Sequence, residues 1–140
     1  MKQWYKTRKK DLFYLKAKKN DIISRAYYKL EEIDKKYNLF KNNKKILDVG
    51  CSPGGWTQYI LKKNQKNKVV GIDLLPTDLK IEGDFKFYMM DLNHFQLIDE
   101  LFTVNNYIFD SIVSDIAPNT SGNQFLDQTK SYNLSMLSAK

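Results

Sequence analysis

The stretch Lys45–Gln58, KILDVGCSPGGWTQ, decides how the rest of the chain is read. Ile46, Leu47 and Val49 form an apolar run too short for a helix and β-branched enough for a buried strand. Gly50 closes the run, Pro53, Gly54 and Gly55 make a turn, and Trp56–Lys63 has the two-sided pattern of a helix. Strand, glycine-rich loop, helix is how an open α/β sheet forms a crevice for a nucleotide-like ligand. Glycine lets the backbone come close, and the first N–H groups of the helix face the ligand. Three of the six glycines in 140 residues lie here, which favours a ligand loop over an ordinary turn.

Working outward, KVVGID (68–73) reads as a second buried strand after a loop at Asn64–Lys68. KFYMM (86–90) reads as a third, ending at Asp91, and FDSIVSD (109–115) as a fourth, ending at Asp115. Helices are expected over 24–37, with Ser24 as cap and Ala26, Leu30, Ile33 and Tyr37 on one face, and over 95–103. The leucines 126, 134 and 137 suggest a last helix over 125–140. In a parallel sheet Asp73, Asp91 and Asp115 would share the rim that carries the glycine loop. Three carboxylates there suit ribose hydroxyls, an adenine amino group and a sulfonium cation, and would repel a dinucleotide phosphate. The G-x-G-x-x-G fingerprint is also absent, because Ser52 stands in the loop. S-adenosylmethionine is therefore favoured over NAD, which keeps an NAD-dependent oxidoreductase as a disfavoured rival.

Length and a 42% apolar content fit one domain with a single core. No apolar run reaches membrane-spanning length, and the basic N-terminus lacks the apolar block of a secretory signal. It has some character of an organelle-targeting segment, against which Asp11 and Asp21 argue. Cys51 excludes an internal disulfide and fits a reducing compartment. His94 has no ligand partner at metal spacing, so no metal is expected. The net charge of +7 is uneven. Residues 1–45 hold 15 Lys/Arg against 5 Asp/Glu, and residues 46–140 hold 8 against 11. A basic front on an acidic body suggests a polyanion gripped by the one and a small ligand held by the other. Residues 2–20 interleave lysines with Trp4, Tyr5, Phe13 and Tyr14. These aromatics can stack on unpaired bases or pin a basic arm to the body.

On the 24–37 helix, Arg25, Lys29, Glu32 and Lys36 share a stripe. Periodicity alone makes this a solvated face with Glu32–Lys36 pairing. Arg25, one of two arginines beside 21 lysines, is the exception that suggests a planar fork for phosphate or carboxylate.

Four blocks together resemble the FtsJ/RrmJ-like ribose 2′-O-methyltransferases: SRAYYKL (24–30), DVGCSPGGW (48–56), DLLP (73–76) and SDIAPNTSG (114–122). The likeness runs from Trp4 onward in the family's order and spacing. It implies a Rossmann-like S-adenosylmethionine-dependent methyltransferase fold with a mostly parallel α/β sheet. A basic segment over 1–23 would precede a methyltransferase domain over 24–140. It also implies that Gly50, Ser52, Pro53, Gly54, Gly55 and Trp56 form the cofactor loop, with Gly54 and Trp56 lining the pocket. Asp73, beside Leu74, would hold the ribose, and Asp91, beside Leu92, the adenine. Asp115 would lie by the reacting methyl group, Lys29 would be a catalytic lysine, and Arg25 and Asn119 would meet the substrate. P-G-G-W, D-L-L-P and A-P-N-x-S-G resemble the large-subunit rRNA branch rather than the tRNA branch. The family's second catalytic lysine and its glutamate would lie beyond Lys140, so the C-terminal part of the fold is expected to be missing from this sequence. A non-catalytic RNA- or cofactor-binding module is therefore the alternative. The implied protein is a monomer that acts on RNA without a membrane, in the cytoplasm of a bacterium or in a mitochondrion or other organelle, rather than the nucleus, of a eukaryote.

If the basic front holds RNA, deleting residues 1–20 should flatten the slope of log affinity against log salt by several units, on the order of the phosphates released. Fluorescence anisotropy across a salt series measures this, and an unchanged slope would take the arm away from RNA.

Overall fold

The computed structural model describes residues 21–116 and the backbone of Ser135–Ser138. Along the chain run α1 (Ala26–Tyr37), β1 (Lys45–Val49), α2 (Gly55–Lys63), β2 (Lys68–Asp73), β3 (Asp84–Met89), α3 (Phe95–Val104), β4 (Ser111–Ser114) and β5 (Ser135–Ser138). The five strands form one sheet in the order β3-β2-β1-β4-β5, every pair parallel. β1 is central, pairing Ile46 with Val69 on one side and with Ser111 on the other. Residues 46–49 are buried on both faces of the sheet, which explains why the run does not alternate with polar residues.

Alternate residues of each strand feed two cores. Leu47, Val49, Val70, Ile72 and Ile112 pack with Leu92, Ile98 and Phe109 on the α3 face. Ile46, Val69 and Val113 pack with Leu30, Phe40, Trp56, Tyr59, Ile60 and Leu61 under α1 and α2. The strand order reverses at β1, so β1 and β4 diverge in their connections and leave the crevice of an open α/β sheet beside the β1–α2 loop.

Several boundaries depart from the sequence reading. The stretch 135–138 is a strand in register with β4, Ser111 opposite Ser135, and not part of a helix over 125–140. Pairing with an open strand edge overrides the leucine spacing there. The rest of that predicted helix, the aromatic arm at 2–20 and Asn119 lie outside the described residues. Arg25 rather than Ser24 occupies the N-cap of α1, with no side-chain cap bond. Tyr37 is exposed, and Asp34 is buried in place of the predicted end of the apolar face. Asn38 takes a left-handed conformation (φ 52°) and turns the chain back, so Phe40 fills the core instead. Within this helix, Lys35 rather than Lys36 forms an ion pair, with Glu31 at 3.8 Å.

The Asp34 carboxylate ties this corner together. It accepts hydrogen bonds from the Leu39 and Phe40 N–H groups beyond the helix end and from the Tyr59 hydroxyl on α2. Asp34→Ala orphans all three donors, and unfolding in urea should show a loss of about 3 kcal/mol, against about 1 kcal/mol for Tyr59→Phe. Equal losses would mean that the two backbone bonds add nothing.

Candidate active site

The β1–α2 loop is strapped to the segment after β2. Ser52 N–H donates to Asp73 Oδ2 at 2.9 Å, Ser52 Oγ to the Leu75 carbonyl at 2.7 Å, and Thr77 Oγ1 to the Pro53 carbonyl. Asp73 also accepts from Leu75 N–H at 2.9 Å, so its carboxylate organises both sides of the strap. Gly50 bends the chain out of β1 at φ 71°, and a Cβ there would run into the Ile116 methyl group. Gly55, the first residue of α2, lies directly under Ser24 and the Tyr27 backbone, where any side chain would collide. That close approach seats the start of α1 on the start of α2.

A cavity of about 260 Å³ opens at this junction. Of the expected residues, Arg25, Gly50, Ser52, Pro53, Gly55, Trp56 and Asp115 line it, joined by Ser24, Asp48 and Cys51. Lys29 stands beside it, with Nζ 2.9 Å from Asp115 Oδ1, a contact between residues 86 apart in the chain. Gly54 (φ 124°) faces Leu79 instead of the cavity. Asp91 follows β3, accepting from Asn93 N–H at 2.9 Å ahead of α3, while Leu92 is buried in the α3-side core. Leu74 is exposed. The cavity therefore gathers the loop, Arg25 and Asp115, with Lys29 at its edge, and leaves Asp73, Leu74, Asp91 and Leu92 outside its walls.

Asp48 is the residue the sequence reading missed. It is fully buried in β1, lines the cavity, and accepts a 2.8 Å hydrogen bond from Thr57 Oγ1. Burial pushes its carboxyl up to about 7, and the charges of Asp73 and Asp115 add to that against the Thr57 bond. The signal was present: a carboxylate inside an otherwise apolar central strand is rare without a reason. Burial also pushes the Cys51 thiol far up, helped by Asp48 and Asp73, so it stays protonated and is no nucleophile. Trp56 is 2% exposed, and its indole N–H has no acceptor among the described residues. A ligand that brings a positive charge and a hydrogen-bond acceptor would satisfy both the crowded carboxylates and that donor. Among the described residues no group of His, Cys, Asp and Glu could hold a metal ion.

The Asp48 shift has a signed consequence for stability. Unfolded, the carboxyl ionises near 3.8; folded, it keeps its proton to about 7. Between those values the folded chain binds more protons, so this contribution to stability is full below about pH 4 and is lost as pH rises through about 7. Urea unfolding of the parent and Asp48→Asn at pH 4.5 and pH 8 should show the parent losing more than about 1 kcal/mol relative to the variant. A constant difference at the two values would mean that the burial of Asp48 carries no proton linkage.

Comparison with known proteins shows the family. The model of the FtsJ-like methyltransferase family matches residues 22–140. The chain is 38% identical to a ribosomal RNA large subunit methyltransferase E of Bdellovibrio bacteriovorus, over 89% of this chain and 64% of that protein. It is 36% identical to the protein of that name in Dichelobacter nodosus, over 98% and 66%. The crystal structure of a ribosomal RNA methyltransferase from Plasmodium falciparum superposes with a TM-score of 0.57 at 33% identity, covering 79% of this chain and 66% of that one. The chain thus spans about two thirds of the length of the relatives it matches. Over that span, it belongs to the FtsJ-like methyltransferase family.

Proposed function

We propose that this chain is the cofactor-holding part of an S-adenosylmethionine-dependent enzyme that methylates a ribose 2′-hydroxyl in large-subunit ribosomal RNA. The observation that carries the reading is the gathering of Asp48, Asp73 and Asp115 around one glycine loop, with the Lys29 ammonium docked on Asp115. Burial is the main cause that raises the value for Asp48, the charges of Asp73 and Asp115 add to it, and a cationic ligand would relieve that added part. The names of the relatives favour rRNA over tRNA. The substrate implies an intracellular protein working on RNA.

The cofactor supplies an activated methyl group on a sulfonium. The chain's own residues then have to hold the ligands in line and keep water out. Asp73, Asp91 and their neighbours Leu74 and Leu92 would hold the nucleoside end, and Gly50, Ser52, Pro53, Gly54, Gly55 and Trp56 the loop side. Asp115 would face the reacting centre, and Lys29, with its ammonium 2.9 Å from that carboxylate, would help position the ribose hydroxyl, whose proton would pass to the expected second lysine as base. Arg25, one turn before Lys29 and lining the cavity, would grip a substrate phosphate, with Asn119 as a further substrate contact.

Single-turnover methyl transfer with RNA and cofactor saturating tests Lys29, in a chain extended to the relatives' length so that the expected second lysine is included. Lys29→Ala should slow transfer at least about 100-fold, roughly 3 kcal/mol of barrier, while altering stability by only a few tenths of a kcal/mol. Arg25→Ala should weaken RNA affinity more than turnover. A parent-like rate in Lys29→Ala would return that lysine to the solvent.

A further inference from the structure

The pole of the domain opposite the glycine loop is crowded with lysine. Residues 35–47 and 59–72 hold nine lysines and no aspartate or glutamate. Side-chain amides stitch the two stretches into one surface. Asn64 Nδ2 donates to the Lys41 carbonyl and to Asn43 Oδ1, both at 3.1 Å. Asn67 donates to the Phe40 carbonyl and accepts from Lys44 N–H at 2.8 Å, and Lys68 N–H donates to the Lys44 carbonyl at 2.8 Å.

Helix ends account for four of the nine. Lys35 and Lys36 close α1, and Lys62 and Lys63 close α2, where the helix dipole favours cations. Lys41, Lys44, Lys45, Lys66 and Lys68 have no such reason. None of these five forms an ion pair among the described residues. Lys45 and Lys68 are register partners on neighbouring strands, an arrangement in which like charges repel. Of the acids at this pole, Asp110 gives a carboxylate oxygen to the Lys45 N–H, and Asp84 stands opposite Lys68 without pairing with it. Asn42, Asn43 and Gln65 are exposed between the lysines, and Tyr37 is the one large hydrophobic side chain exposed in these two stretches.

We infer that this pole is a second RNA-contacting surface, gripping phosphates of the folded substrate away from the reacting nucleotide. The inference rests on the RNA reading above. Point charges interleaved with amide donors suit a phosphate backbone held without reading its bases. A protein partner would ask for arginine and apolar anchors, which the surface lacks apart from Tyr37. β1 sets the spacing: five residues at about 3.3 Å each put the pole roughly 15 Å from the glycine loop. A substrate that reaches both places must be several nucleotides long and folded around the domain.

The test compares the parent chain with the variant Lys41→Gln, Lys44→Gln, Lys66→Gln, Lys68→Gln, using a long hairpin of large-subunit rRNA and a pentanucleotide as probes. The variant should bind the hairpin about tenfold or more weakly, and its salt slope should fall by about three units. Its pentanucleotide affinity and melting temperature should match the parent. The loop pair Lys41→Gln, Lys66→Gln leaves both strands intact and should lose about half as much slope, which keeps the test valid if the fourfold variant folds poorly. Unchanged hairpin affinity and slope in both variants would overturn this surface and leave the proposed function standing. A parent that binds no hairpin at any salt would overturn both. Equal affinity of the parent for poly-glutamate and for the hairpin would replace RNA by an acidic protein as the partner.

Discussion

The seat of Ser24 and Tyr27 on Gly55 is the contact on which the rest of the site depends. A single added methyl group at position 55 would strike the Ser24 hydroxyl and the Tyr27 backbone. With glycine there, α1 settles against the first turn of α2, and everything α1 carries is delivered to the loop. Arg25 lines the cavity, and Lys29 meets Asp115 at the end of β4. The far end of the same helix is fixed by Asp34 on Tyr59, so α1 is anchored to α2 at both ends.

The Lys29–Asp115 pair is positional rather than stabilising. Its side chains are 47% and 31% exposed, and an ion pair in that setting contributes at most about 1 kcal/mol. Its value lies in what it does to the field of the cavity. Burial raises the Asp48 value, and the charges of Asp73 and Asp115 raise it further. A positively charged ligand in the cavity would relieve the carboxylate part of that crowding. Among the described residues nine lysines crowd the other pole, whereas the buried carboxyl of Asp48 and the carboxylates of Asp73 and Asp115 lie at the loop end.

Much of this was legible in the sequence because it is local. The apolar run Ile46–Val49, the glycine loop and the strand KVVGID all stand where their patterns put them, and the β2 limits match. The partnership of Lys29 with Asp115 was accessible only through the resemblance, since helix periodicity alone assigned Lys29 to solvent. Contacts between distant residues were not legible. Asp34 reads as one more polar residue on a helix until Asn38 turns the chain and brings Leu39, Phe40 and Tyr59 around it. Ser24 looks like a cap, yet the backbone places Arg25 in that position and buries the Ser24 hydroxyl under the helix contact. Ser135–Ser138 has too weak a pattern to be read as a strand, and only the open edge of β4 makes it one. Asp48 was hidden by its place in an apolar strand, although that place was itself the clue.

The central claim is that the loop and its carboxylates form a site for a cationic nucleoside and not for a dinucleotide. Isothermal calorimetry on the 140-residue chain, titrated in parallel with S-adenosylmethionine and NAD, tests it most directly. The account predicts saturable one-to-one binding of S-adenosylmethionine and no comparable heat from NAD. NAD binding as tightly as S-adenosylmethionine, or more tightly, would contradict it.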